Sequence, residues 1–207
     1  KHGLDLKDLG AYKSTLDSLN EQKNAQALFK VLDTLYLHFT NKGIEAKALE
    51  YAQSLERIHH DLRLDDTTFT LRFQTFVTRV VEDQLALFGN LVAGFIAAER
   101  SPLLVGVNIV APEDNPNSMR NYWLHMQFFK WCKSKFPKVK FSMHAGELAL
   151  GLVRPEELTW HINAAVQEAG AYRIGHGVDL AYEKDAFKLL KTMQTQNVAV
   201  EINLTSN

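Results

Sequence analysis

The sequence of 207 residues predicts an α/β fold, in which a parallel sheet follows an N-terminal helical segment. From residue 67 onward, strand-like and helix-like segments alternate with a period of about 30 residues, which is typical of βα units. The run LLVGVNIVA at residues 103–111 is apolar and rich in β-branched residues, as expected for a strand covered on both faces. A (β/α)8 barrel and an open doubly wound sheet both fit this pattern, so the period alone does not choose between them.

The beginning of the chain is predicted to be helical. Between positions 28 and 39, apolar residues recur at steps of three and four, the spacing of one buried helical face. Ser18 and Glu21 have the spacing of a capping box and predict the start of this helix, and Gly43 predicts its end. A second helix is expected at residues 45–62.

No Pro- or Gly-rich linker follows these helices, so we expect residues 1–66 and residues 67–207 to form one domain. The second part is predicted to contain strands separated by helices. The expected strands are 68–77, 103–111, 138–143, 172–175 and 198–204, and the expected helices are 82–99, 117–134, 155–170 and 183–197.

Composition excludes several classes of function. The net charge is −1, from 23 basic and 24 acidic residues, so no basic footprint for nucleic acid or for an anionic membrane is expected. The longest nearly apolar stretch, residues 85–98, is too short to span a bilayer. The single cysteine, Cys132, excludes an internal disulfide and is expected to be inert. One cysteine and no visible leader favour the cytoplasm, with secretion left open.

Polar residues with catalytic chemistry follow successive predicted strands. His144 and Glu147 lie in the segment FSMHAGE, and His176 lies between two glycines in the segment YRIGHG. The carboxyl ends of parallel strands meet at one face, which is where the active site of a (β/α)8 barrel lies. A neutral imidazole is a suitable zinc ligand, a nearby carboxyl group can transfer a proton, and a second histidine can hold or deprotonate a water molecule.

The segments HAGE, RIGHG and EINLTSN, in this order and spacing, resemble the adenosine deaminase family of zinc-dependent amidohydrolases. The segment GVNIVAPED resembles the third strand of that family, nearer to its adenosine-deaminase-related growth factor branch. The similarity covers residues 67–207 and implies a partial (β/α)8 TIM barrel, about strands 2–6. Residues 1–66 resemble the family only as a helical insertion between the first and second strands.

The resemblance implies hydrolytic deamination of a purine nucleoside, adenosine to inosine and ammonia, with Zn²⁺ as cofactor. His144 would be a zinc ligand, Glu147 would protonate the purine ring, and His176 would orient and help deprotonate the zinc-bound water. The family's glycine contact to the purine falls at Ala111 or Pro112, where this sequence has no glycine. Ala111 and Gly146 are the expected substrate contacts.

The sequence departs from the family in its metal ligands. No H-x-H pair occurs in the 207 residues, and the adjacent His59 and His60 of a helix point in different directions. The aspartate that follows the family's eighth strand is also missing, so His144 is the one expected ligand present. We therefore expect an internal fragment of a longer enzyme, inactive by itself, with open sheet edges that permit self-association.

Two other functions remain open at the level of sequence. The absent glycine favours another aminated ring, such as adenine or a modified nucleoside, as the substrate. Alternatively, the barrel binds a nucleoside or acts as a signal without turnover. Glu113 and Asp114 either bind a substrate hydroxyl or a cation, or form an ordinary turn. Asp179 either supports His176 or begins the next turn.

Overall fold

The N-terminal part consists of three helices in the computed structural model, which describes residues 3–203. After a short 3₁₀ turn at Lys7–Leu9, the helices are α1 (Ala11–Gln22), α2 (Ala25–Asn41) and α3 (Ile44–Asp61). The predicted helical segment is therefore confirmed, with one more helix than expected.

The predicted end of α2 is confirmed, and its predicted start is wrong. Gly43 has a φ of 79° directly before α3, a conformation that suits glycine. Ser18 lies inside α1, so the spacing of Ser18 and Glu21 marks no helix start. The cap of α2 is Asn24, whose side-chain oxygen accepts the backbone N–H of Ala27 at 3.1 Å.

Five parallel strands form one sheet in the order of the chain. Each strand pairs with the next one, and the two outer strands each pair on one side within the described residues. The predicted self-association through these edges stays a prediction. The strands are β1 (Phe73–Thr78), β2 (Leu104–Val110), β3 (Phe141–Ala145), β4 (Arg173–His176) and β5 (Ala199–Glu201).

Helical segments connect the strands, as the alternation of the sequence predicts. Between β3 and β4 the chain forms a 3₁₀ turn and a distorted helix that continues with π geometry, where one regular helix is expected. The segments are α4 (Gln84–Arg100), α5 (Pro116–Lys135), the 3₁₀ turn Pro155–Thr159, α6 (His161–Asn163) with its π continuation Ala164–Ala169, the 3₁₀ turn Val178–Tyr182, and α7 (Ala186–Gln196).

The first strand starts later than the predicted residue 68. The Asp66 side chain accepts the backbone N–H groups of Thr68 and Phe69, and Asp65 accepts that of Leu71. These bonds give the backbone an alternative to strand pairing, so β1 begins only at Phe73. The end of the last predicted strand and the final four residues of EINLTSN lie outside the described residues.

One continuous apolar core joins the N-terminal helices to the sheet. The aromatic residues of α5 pack in this core against α4: the rings of Phe88 and Phe128 are 4.9 Å apart, and Trp131 meets Phe88 edge-on at 5.3 Å. Cys132 is buried in the same region, and burial raises the pKa of its thiol well above the ordinary value. Within residues 3–203, no helix combines the length and the hydropathy needed to cross a bilayer.

Candidate functional site

The two segments that contain His144 and His176 end neighbouring strands, as the sequence predicts. β3 and β4 are paired so that His144 lies opposite Gly175 and Ala145 lies opposite His176. Glu147 follows β3 after the turn at Gly146. The parallel pairing brings all three functional side chains to the same edge of the sheet, because the carboxyl ends of both strands lie there.

His144, Glu147 and His176 form one cluster. One possible ligand atom from each residue lies within 4.8 Å of the others. The imidazole rings of His144 and His176 meet edge-to-face with their centroids 4.8 Å apart. His176 Nε2 is 3.3 Å from Glu147 Oε2, so these two groups can exchange a proton.

The cluster lines a cleft of about 350 Å³. The remaining lining comes mainly from the segment after β2, which places Ala111 and Pro112 beside the cluster. Gly146 is not among the lining residues, so its expected contact with substrate stays a prediction. The lining residues are Ala111, Pro112, Glu113, Asp114, His144, Glu147, Leu152 and His176.

Two non-glycine residues of the cleft have left-handed backbone conformations. The φ of Ala111 is 83° and that of His176 is 71°. Such a conformation costs energy for a residue with a β-carbon, and strained residues concentrate at functional sites. Between Ala111 and Pro112, it is therefore Ala111 whose backbone has the conformation that a glycine would favour.

The turn after β3 bonds to a buried carboxylate. Glu113 Oε1 accepts the backbone N–H of Gly146 at 3.2 Å, and Oε2 accepts that of Glu147 at 2.8 Å. His161 Nδ1 is 2.7 Å from Glu113 Oε1. Burial opposes ionisation of Glu113, but the hydrogen bond from His161 and the Arg79 guanidinium hold its pKa below the usual value. Glu113 and Asp114 lie in a turn after β2, as one of the two readings of the sequence predicts, and the Glu113 carboxylate binds the turn after β3.

Arg79 joins three strand ends from beneath the cleft. It follows β1, is 1 % exposed, and donates through Nη2 to the backbone carbonyls of His144 and Ile109. Its Nη1 lies 4.0 Å from Glu113 Oε1. One buried guanidinium therefore fixes the backbone of His144 and balances the charge of Glu113.

The His144 imidazole is available as a ligand. Burial, together with the nearby Arg79 and His176, lowers its pKa to about 4, so the ring is neutral at pH 7. Within residues 3–203, neither of its ring nitrogens has a hydrogen-bond partner. Two imidazoles and a carboxylate are donor types that Zn²⁺ takes in proteins, so this cluster could hold a metal ion.

Asp179 is fully buried behind the catalytic turn. Among the described residues, neither of its carboxyl oxygens has a hydrogen-bond partner. Burial, with the nearby carboxylates of Glu113 and Glu183, raises its pKa to about 8. A β-carbon at position 146 would overlap Asp179 Oδ1 and the Ile162 side chain, so the turn requires Gly146.

The adjacent histidines His59 and His60 lie at the end of α3. His59 Nε2 lies 3.1 Å from Asp65, whereas His60 is exposed and lies beside Asp61, so the two rings point apart as expected. Sequence reasoning missed the roles of Arg79 and His161. A signal for either was weak, because each acts through contacts with residues that are distant in the chain.

Comparisons of the chain with protein-family models, with curated proteins and with solved structures found no match. The resemblance to adenosine deaminases therefore stays a prediction from the motifs.

Proposed function

We propose that this chain is the central part of a zinc-dependent hydrolase that converts adenosine to inosine and ammonia. The observation that supports the proposal is the convergence of His144, Glu147 and His176 at the carboxyl ends of β3 and β4. Hydrolytic deamination needs a metal ligand, a proton donor and a group that handles water, and these three side chains supply those types of group.

The proposed architecture is an arc of a (β/α)8 barrel. The five parallel strands follow one another in chain order without a reversal. In an open doubly wound sheet the strand order reverses at a switch point, whereas strands follow chain order around a barrel. The order therefore favours the barrel, and it also puts the cleft at the face where barrel enzymes have their active sites.

Each side chain has a distinct role in the proposed reaction. His144 would hold the metal through a ring nitrogen, and zinc, when bound, supplies Lewis-acid activation of the attacking water. His176 orients this water and accepts its proton at Nε2. Glu147 gives a proton to the purine ring nitrogen while a C–O bond forms at the carbon that bears the amine. The C–N bond then breaks, and ammonia leaves with the proton that the water gave to His176. The new hydroxyl group returns its proton to Glu147 as the carbonyl forms.

The complete site requires residues beyond these 207. The chain contains no H-x-H pair, and His144 alone does not retain catalytic zinc. We propose that the enzyme supplies an H-x-H pair and an aspartate from other barrel strands.

A second substrate class is favoured by one observation. The side chain of Ala111 lines the cleft at the position where the resemblance implies a glycine contact to the purine. Its methyl group takes space beside the bound base, which favours a substrate other than adenosine, such as free adenine or a modified nucleoside. Competition of free adenine against adenosine distinguishes the two substrates.

Adenosine deamination by the enzyme that contains this chain, followed by ultraviolet absorbance with zinc present, tests the proposal. We expect turnover by the enzyme and none by the 207-residue chain. Absence of turnover by the folded, zinc-bound enzyme would contradict adenosine as the substrate.

The role of Glu147 is tested by Glu147→Gln, which keeps the size of the side chain and removes its acid. We expect turnover to be nearly abolished while zinc stays bound, and activity within about tenfold of wild type would contradict the role. The matched control is Glu156→Gln, because Glu156 is an exposed acid on the 3₁₀ turn before α6. This control should leave turnover unchanged.

A further inference from the structure

Donors surround the Glu113 carboxylate. The Gly146 N–H and His161 Nδ1 reach Oε1, the Glu147 N–H reaches Oε2, and the Arg79 guanidinium lies 4.0 Å away. The Glu113 side chain is fully buried, so no water competes for these bonds. A carboxylate is the one common side chain whose two oxygens can accept from donors on all these sides.

Glu113 is itself held by a second layer of contacts. The His161 ring stacks on Tyr122 with 3.8 Å between the centroids, and the Tyr122 hydroxyl donates to the His161 carbonyl at 2.7 Å. These contacts fix the imidazole that bonds to Oε1. Residues of α5 and α6 thus fix the position of the carboxylate, which accepts hydrogen bonds from the turn after β3.

We propose that Glu113 is a positioning residue for Glu147. By binding the N–H groups of residues 146 and 147, it fixes the turn that holds the Glu147 carboxyl 3.3 Å from His176 Nε2. Its effect on catalysis rests on the proposed deaminase function, whereas its effect on the turn does not. Proton transfer depends on this spacing, because a displacement of about 1 Å can cost on the order of 100-fold in rate.

Glu113→Gln is the informative change because it keeps the shape of the side chain and replaces one acceptor oxygen by an NH₂ group, which is a donor. If the NH₂ group takes the place of Oε1, it faces the Gly146 N–H and His161. If it takes the place of Oε2, it faces the Glu147 N–H. At least one bond to the turn is replaced by two opposed donors. The control is Glu183→Gln: Glu183 is also buried and accepts a backbone N–H, that of Asn163, outside the cleft.

The first experiment measures backbone amide hydrogen exchange in the 207-residue chain. In Glu113→Gln we expect the amides of residues 146 and 147 to exchange at least about tenfold faster than in wild type. In Glu183→Gln they should keep the wild-type rates. If exchange at the two amides is no faster in Glu113→Gln than in the control, the proposal is wrong.

The second experiment measures adenosine turnover by the zinc-loaded enzyme that contains this chain. We expect Glu113→Gln to lower kcat on the order of 100-fold with little change in KM, because positioning for proton transfer acts on the chemical step. A kcat within about threefold of the control would overturn the proposal. If the folded wild-type enzyme shows no turnover, the deaminase function fails and the amide exchange alone decides the role of Glu113.

A second variant keeps the proposal testable if Glu113→Gln does not fold. His161→Phe retains a ring stacked on Tyr122 and removes the Nδ1–H that anchors the carboxylate. We expect the same two amides to exchange faster, by less than in Glu113→Gln, and wild-type exchange there would overturn the proposal.

Discussion

Asp179 makes the stability of this protein depend on pH in a direction opposite to that of most carboxyl groups. Its pKa is about 8 in the folded chain, against an ordinary value of 3.8, because it is buried near Glu113 and Glu183. Between these two values the folded state retains a proton that the unfolded state has released. Ionisation therefore favours unfolding, and the free energy of unfolding falls as the pH rises from about 4 to about 8.

The size of this effect follows from the two pKa values. Each pH unit between them corresponds to about 1.4 kcal/mol, so the contribution reaches on the order of 4 kcal/mol at pH 7. Asp179→Asn has nearly the same shape as the protonated acid and is neutral at every pH. Apart from an offset that is the same at every pH, the free energy of unfolding of the variant should equal that of wild type near pH 4. Near pH 7 it should be higher by several kcal/mol.

Urea unfolding at several pH values from about 4 to about 8 measures this difference, with tryptophan fluorescence as the signal. Trp131 lies in the core and reports on loss of packing. The expected result is a gap between Asp179→Asn and wild type that widens steadily with pH. Parallel stability curves for the two proteins over this range would refute the assignment of a protonated Asp179.

Three further predictions concern other residues. Ala111→Gly should raise the free energy of unfolding by about 0.5–1 kcal/mol by relieving the left-handed backbone, and a loss of stability in urea unfolding would contradict this. Asp65 accepts the Leu71 N–H and pairs with Arg72, and these contacts lower its pKa to about 2. Asp65→Asn should therefore lower the free energy of unfolding above about pH 4, and the difference from wild type should vanish as the pH falls to about 2. A difference that does not depend on pH would argue against this prediction. His144→Ala should remove zinc and turnover together from the complete enzyme, and stoichiometric zinc in metal analysis would disprove its role as a ligand.

Much of the fold could be predicted from the sequence because each βα unit is encoded locally. The apolar run that becomes β2 is closed by Pro112 and can be recognised without information from distant residues. Boundaries were predicted less well where side chains compete with the backbone. Asp65 and Asp66 bind the N–H groups of the residues before β1, and this local chemistry delays the strand in a way that composition does not indicate.

Only the side chains that line the candidate site at the strand ends could be predicted from the sequence. His144 and His176 could be placed together, because parallel strand ends must meet at one edge. The surroundings of Glu113 could not be predicted, since its partners come from the turn after β3, from α6 and from the end of β1. In sequence, the acid pair before Asn115 and Pro116 indicates either a ligand for a substrate hydroxyl or a cation, or an ordinary turn. Burial decides its role, and burial depends on the assembled fold.

The sequential order of the sheet has a consequence for how the chain folds. Every strand pairs with a partner about 30 residues away, so assembly requires only short loop closures, each with a modest entropic cost. Each emerging βα unit can therefore dock on the unit already made at the ribosome. The cluster of His144, Glu147 and His176 would then form as soon as β4 joins β3.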